Sequence, residues 1–288
     1  MNSSPRPLAP PPALRWGLLL VLSLVTLLPF GTLVVTSLAR GWFWPHLLPP
    51  EWSTEAWREL VAGFGWRWWV GAGEAGAPAA GGRLARATLH SLVLAAGTGV
   101  LAVGVALPAA RAMARLQGWR RHLAAGCAFL PVAAPPLAVG VGLQVTLLSA
   151  GVGGTLPGVL LAHLVPAAGY VSLFLLGVFL VRDDGLEEEA RTLGASPLQV
   201  FLLVTLPSLR RPLVEGFVLG FLVSWAQVPL TLLVGQGVVP ALPLEVLSLV
   251  LAGQDSRAAA GALLLVVPPL LVMAGAGFAL RGRRVVVA

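Results

Sequence analysis

Lysine is absent from this chain of 288 residues, whose nineteen basic side chains are all arginine, and cysteine occurs once, at Cys127. Charge of either sign is scarce, at 11% of residues against 57% hydrophobic. Each shortage excludes something. Without lysine, no glycine-rich loop can end in Gly-Lys-Ser/Thr, the phosphate cradle of many nucleotide hydrolases. A single cysteine leaves no disulfide framework and no thiol pair. Because Cys127 falls in an apolar run, it is expected to be a buried, inert thiol. The four histidines (His46, His90, His122 and His163) are scattered without metal-ligand spacing, so no metal or other cofactor is expected. No acid, base and nucleophile converge in the sequence, which argues against a membrane-embedded enzyme. So low a charge content also excludes an ordinary soluble domain.

Apolar length is what the chain has instead. Its mean hydropathy is +0.86, and six runs long enough to span a bilayer lie near 14–38, 84–108, 123–148, 157–181, 213–236 and 258–280. The expected fold is all-α and polytopic, with a six-span membrane body over 14–280. Residues 1–13, rich in proline and serine, form a disordered tail in this reading, and 281–288 form a second tail. The first run exceeds the roughly 7–15 residues of a signal-peptide core, so a retained anchor is expected. Prolines inside the runs (Pro131, Pro135, Pro136, Pro166, Pro229, Pro268 and Pro269) predict kinks rather than breaks in the membrane plan.

The net charge of +7 does not mark a nucleic-acid binder, because the arginines lie in short loops between apolar runs. Thirteen fall on one face (Arg6, Arg15, Arg111, Arg115, Arg120, Arg121, Arg182, Arg191, Arg210, Arg211, Arg281, Arg283 and Arg284) and six on the other (Arg40, Arg58, Arg67, Arg83, Arg86 and Arg257). The positive-inside rule then places both termini and the loop 182–212 in the cytoplasm.

That loop breaks the apolar pattern most sharply. Asp183, Asp184, Glu187, Glu188 and Glu189 put five of the twelve acidic residues into seven positions. Asp184 with Glu187, and Ser196 with Gln199, both have capping-box spacing, and Pro197 stands at a first helical position. Gly194 lies between them, where a helix would stop in a left-handed residue. The pattern predicts two short helices about a glycine turn, with Leu186, Ala190 and Leu193 along one face. Glu187 and Arg191 are spaced as an exposed pair worth only about 0.3–0.5 kcal/mol.

The same residues carry a resemblance. Permeases of the binding-protein-dependent ABC importers have a loop of the form Glu-Ala-Ala, three residues, Gly, nine residues, Ile, one residue, Leu-Pro. Here Glu188, Glu189, Ala190, Gly194, Val204, Leu206 and Pro207 occupy that spacing, with Glu189 replacing the usual alanine and Val204 the usual isoleucine. The resemblance implies a type I importer fold of six helices, in which the loop, Ala195 included, couples to an ATPase. It also implies a second permease subunit, two ATPases and an extracytoplasmic binding protein as partners in a bacterial or archaeal inner membrane. Thr192-Leu193-Gly194-Ala195-Ser196 looks like the polyamine, iron, thiamine, phosphonate and inorganic-anion permeases, and the stretch from Leu242 to Ser248 resembles the polyamine and iron group. The carbohydrate permeases are the alternative, and an ATP-independent channel or secondary carrier is a more distant one, since ionisable residues inside the runs are nearly absent.

Two further groups stand out. Residues 42–69 hold seven of the ten tryptophans (Trp42, Trp44, Trp52, Trp57, Trp66, Trp68 and Trp69), which suits an interfacial belt, a contact surface for a soluble partner, or both. Ser224, Gln227 and Thr231 follow a three-then-four spacing, one polar stripe on the fifth run if that run is a continuous helix. The stripe fits either a pore lining at a permease dimer interface or ordinary helix-to-helix hydrogen bonding.

Overall fold

The computed structural model describes residues 12–42, 45–65, 80–183 and 185–281. In chain order the helices there are α1 (Pro12–Ser37), α2 (Glu55–Gly63), α3 (Ala80–Arg115), α4 (Trp119–Ala133), α5 (Pro136–Ser149), α6 (Leu156–Val181), α7 (Gly185–Thr192), α8 (Pro197–Ser208), α9 (Arg210–Trp225), α10 (Val228–Gly235), α11 (Leu242–Leu251) and α12 (Asp255–Arg281). A two-residue ribbon pairs β1 (Ala39–Arg40) antiparallel with β2 (Glu51–Trp52). Helices dominate because a chain in lipid must satisfy every backbone N–H and C=O within its own segment.

The six apolar runs all fold as helix, but not as six straight rods. α1, α3, α6 and α12 are each long and apolar enough to cross a membrane. The run at 123–148 instead divides into α4 and α5, bent by 96°. Ala134 is extended (φ −71°, ψ 143°), as a residue before proline is driven to be, and Pro135 and Pro136 supply no N–H to carry the helix on. The run at 213–236 divides into α9 and α10, bent by 60°. Here Pro229 cannot donate to the carbonyl of Trp225, and Gln227 leaves helical geometry (φ −82°, ψ 82°). Each bent pair counts as one span if it crosses the membrane as a unit, which restores the total of six.

The chain forms two compact units, one of residues 1–82 with 248–264 and one of 83–247 with 265–288. In the first, the ribbon and α2 are tied down by polar contacts. Arg257 forms a two-pronged pair with Glu59, each oxygen at 2.7 Å, and its hydrogen bonds hold the Glu59 carboxyl below its ordinary pKa. Ser256 Oγ donates to the carbonyl of Ala39, and Trp57 Nε1 donates to Ser37 Oγ at 3.0 Å. Trp57 is thus half-buried while Trp52 is exposed. Trp44, Trp66, Trp68 and Trp69 of the expected belt lie outside the described residues.

In the second unit, α6 is the central element, packed by α4, α9 and α10. Ala102, Ala106, Ala110 and Met113 of α3 bury against Ala167, Val171, Leu175 and Leu176 of α6. Steps of four and three put the α3 set on one helix face, as steps of four do for Ala167, Val171 and Leu175. Small side chains let the backbones approach, which matters in lipid, where packing rather than water exclusion drives helix association. α3 and α9 approach closely at two glycines: a Cβ on Gly220 would sit 3.1 Å from the Cα of Gly99.

Candidate functional site

The acidic loop folds into two short helices, as its spacing predicts. Asp183 accepts a hydrogen bond from the Gly185 N–H at 3.0 Å where α7 begins; the expected capping residue Asp184 lies outside the described residues. At the far end of α7, Gly194 turns left-handed (φ 87°). Its N–H bonds to the Arg191 carbonyl at 3.0 Å, and that of Ala195 reaches back to Ala190 at 3.1 Å, so the last carbonyls of the helix are satisfied. The capping box of α8 is complete. Ser196 Oγ accepts from the Gln199 N–H at 3.4 Å, and Gln199 Oε1 accepts from the Ser196 N–H at 2.8 Å. Between Val200 and Thr205 the helix widens into a π-helical turn.

Glu187 departs from expectation. It is buried, 5% exposed, rather than half of a surface pair. Its Oε1 accepts from Thr205 Oγ1 at 2.6 Å and from Arg182 at 2.8 Å. Its Oε2 accepts from Arg111 at 3.0 Å and from Arg191 at 3.4 Å. Arg111 comes from α3, Arg182 from the end of α6, and Thr205 from the π turn of α8, so a single carboxylate fastens α7 to two spans and to α8. Burial alone would raise its pKa; the hydrogen bonds from Thr205 and Arg182 and the charges of Arg111 and Arg182 outweigh this and hold it below the usual carboxylate range. The Arg111 guanidinium also lies 5.4 Å from the ring centre of Phe201. Thr205 reaches Glu187 from a π turn, and such turns recur at functional positions.

Opposite this fastening, α7 presents an uncovered surface. Leu186 is 63% and Leu193 84% exposed. Glu188, Glu189 and Gly194 are exposed beside them, and Ala190 and Ala195 are half-buried. A Cβ added at Gly194 would meet no atom of the chain within 4 Å. Leu206 is half-buried and Pro207 exposed near the end of α8.

Ser224, Gln227 and Thr231 are not one stripe on one helix. The break between α9 and α10 falls among them, and Ser224 and Thr231 are buried inside the protein, 4% and 3% exposed. Both bond to His163 of α6, Ser224 Oγ at 2.8 Å from Nδ1 and Thr231 Oγ1 at 2.9 Å from Nε2. Ser224 also donates to Thr98 of α3 at 3.3 Å. His163 therefore holds both halves of the bent span against α6. Gln227, at the bend, is the half-exposed member of the three and lines a small cavity of about 60 Å³ with Pro131, Pro166 and Tyr170. Cys127 also differs from expectation: on α4 it is exposed, because the α4 face packed on α6 is a different one.

Residues 102–284 match the family of binding-protein-dependent transport system inner membrane components. The chain belongs to this family. It is 32% identical over 202 residues to the molybdenum transport system permease protein ModB of Mycobacterium tuberculosis, covering 65% of this chain and 76% of that one. It is 26% identical over 190 residues to the spermidine/putrescine transport system permease protein PotC of Haemophilus influenzae, covering 66% and 74%. Its fold is that of a chain in the crystal structure of a bacterial ABC transporter involved in the import of the acidic polysaccharide alginate, with a TM-score of 0.56 at 15% identity over 91% of this chain and 94% of that one.

The protein is thus the permease component of a binding-protein-dependent ABC importer, a multi-pass inner-membrane subunit. The matched region contains all of α7 and α8 together with Arg111 and Arg182. Sequence spacing located the loop of this permease but missed its fastening. The missed signal was the arginine cluster at the end of the second apolar run, next to no acidic residue of its own.

Proposed function

We propose that the α7–α8 loop, with Glu188, Glu189, Ala190, Gly194, Ala195, Leu206 and Pro207, is the seat of a separate ATPase subunit. One observation carries this reading. An uncovered apolar surface at Leu186 and Leu193 is held rigidly to the ends of α3 and α6 by Glu187. Covering each leucine would contribute about 1.5–3 kcal/mol. Closure of two ATPases would then move α7 together with the spans rather than bend a loose loop. A second permease subunit completes the pathway, an extracytoplasmic binding protein delivers the solute, and the arginine distribution supports cytoplasmic termini.

Gly194→Asp tests the seat. A Cβ there meets no atom of the permease within 4 Å, but φ 87° strains any side chain. Hydrogen exchange on α7 is therefore measured beside co-purification: an intact α7 with the ATPase lost is the expected outcome. A retained complex would remove the docking role from this surface.

The pathway in this reading runs past the bend at Gln227 rather than along a stripe that includes Ser224 and Thr231. Gln227→Leu should lower solute uptake in vesicles and leave the complex assembled; unchanged uptake excludes Gln227.

For the solute, we favour a small oxyanion of the molybdate class, supported by the relatives named for molybdenum and for molybdate/tungstate transport. Among the described residues, the apolar interiors of the spans also carry no carboxylate that would suit a polycation, Glu215 lying exposed near the start of α9. A polyamine is the second reading, supported by the relatives named for spermidine and putrescine. Uptake of labelled molybdate and putrescine into vesicles holding the full transporter separates them.

A further inference from the structure

The fastening of Glu187 leaves positive charge over. Arg111, Arg115, Arg182 and Arg191 line a cleft of about 480 Å³ with only Glu187 and Glu188 for balance. Three of the arginines share the one buried carboxylate of Glu187. Arg115 is exposed and forms no ion pair with any described residue. Asp183, next in the chain to Arg182, keeps its charge but accepts from Gly185 in its own loop and does not line the cleft. Four guanidinium groups against two carboxylates give a net charge of two in a concave site. Like charges held this close favour a bound anion.

We infer that this cleft is an anion site for a phosphate group, most simply the headgroup phosphate of an anionic lipid. The arginine fork suits a phosphate geometrically, since two parallel N–H groups meet two oxygens. Position supplies the rest. The cleft sits where α3 and α6 end and α7 begins, the level of the headgroups if the loop lies at the inner leaflet. Anionic lipids are drawn to juxtamembrane arginines on that side. A phosphate held there would neutralise the excess charge and join Arg115 to the Glu187 fastening. It would firm the hold of α7 on the spans without touching the surface at Leu193. The inference rests on the orientation proposed above.

The test uses the transporter complex with its ATPases in nanodiscs of phosphatidylcholine with or without phosphatidylglycerol. Lipid retained after detergent extraction is counted by native mass spectrometry. The wild type should keep phosphatidylglycerol. Arg115→Gln should keep it about fivefold less well, the factor for one basic residue at an anionic surface. Ala114→Glu, which adds a carboxylate to the cleft wall, should behave likewise, and Arg115→Lys should recover most of the retention. Displacement of the lipid by inorganic phosphate at neutral pH would assign the same site to the free anion; persistence assigns it to the lipid. Equal retention by wild type, Arg115→Gln and Ala114→Glu overturns the inference. Co-purified ATPase, measured on the same samples, reads the docking proposal separately, because its loss from the wild type would leave the lipid counts standing.

Discussion

Replacing Glu187 by alanine removes one carboxylate and leaves Arg111, Arg182 and Arg191 facing each other. The structure sets the size of the effect. The partners Arg111 and Arg182 have side chains 22% and 12% exposed, and both lie within 3.0 Å of Glu187. Arg191 is 53% exposed and adds little. Breaking a buried pair by removing one partner costs about 3–5 kcal/mol. The loss of the Thr205 bond falls within that range rather than on top of it. The cost concentrates on α7, which is otherwise held chiefly by its caps and its contact with the π turn. Hydrogen exchange at residues 186–193 in the purified transporter is therefore the assay. A loss of that size should speed local opening by about 10²-fold to about 4 × 10³-fold, at about 1.4 kcal/mol per factor of ten. Exchange within about twofold of wild type would refute the view that Glu187 holds the helix.

Other outcomes follow from the same contacts. Acidification should loosen α7. The folded pKa of Glu187 is depressed, so its contribution is fully present above the ordinary carboxylate value of 4.5 and is lost as pH falls through the folded pKa, which hydrogen exchange on α7 below pH 4.5 would register. His163→Leu strips hydrogen bonds from Ser224 and Thr231 and should destabilise the protein by about 1–3 kcal/mol, seen as a lower midpoint of thermal unfolding. Gly220→Val places its Cβ 3.1 Å from the Gly99 backbone and 3.3 Å from Ala102 Cβ, and should cost about 1–3 kcal/mol by forcing α3 from α9, with loss of a monodisperse complex on size exclusion.

The acidic loop was legible in the sequence because its structure is local. Ser196 and Gln199 cap each other across three residues, and Gly194 stops α7 by its own backbone, so short spacing carried the information. Glu187 was read as exposed because its decisive partner, Arg111, lies 76 residues away, and no periodicity ties the two. The spans were legible as apolar length, but not as geometry. Pro229 and the pair Pro135–Pro136 mark both breaks, yet a proline in a span predicts only that a hydrogen bond is missing, not whether the helix kinks or turns by 96°. That outcome depends on packing: Val139 and Leu143 of α5 and Leu230 and Val234 of α10 seat against one cluster with Val159 and Ala162 of α6. The stripe at Ser224 and Thr231 failed for the same reason: helical spacing holds only along an unbroken helix.

An ATPase seated on the outer face of α7 would lie against Leu193. Leu193→Cys in a Cys127→Ser background, cross-linked within the native membrane, tests it most directly, because Leu193 is 84% exposed on that face. A seated ATPase gives a cross-link from position 193 whose yield changes with nucleotide, and none from Trp52→Cys, in a segment that the arginine distribution supports as extracytoplasmic. An ATPase cross-link at position 52 with none at 193 would contradict it.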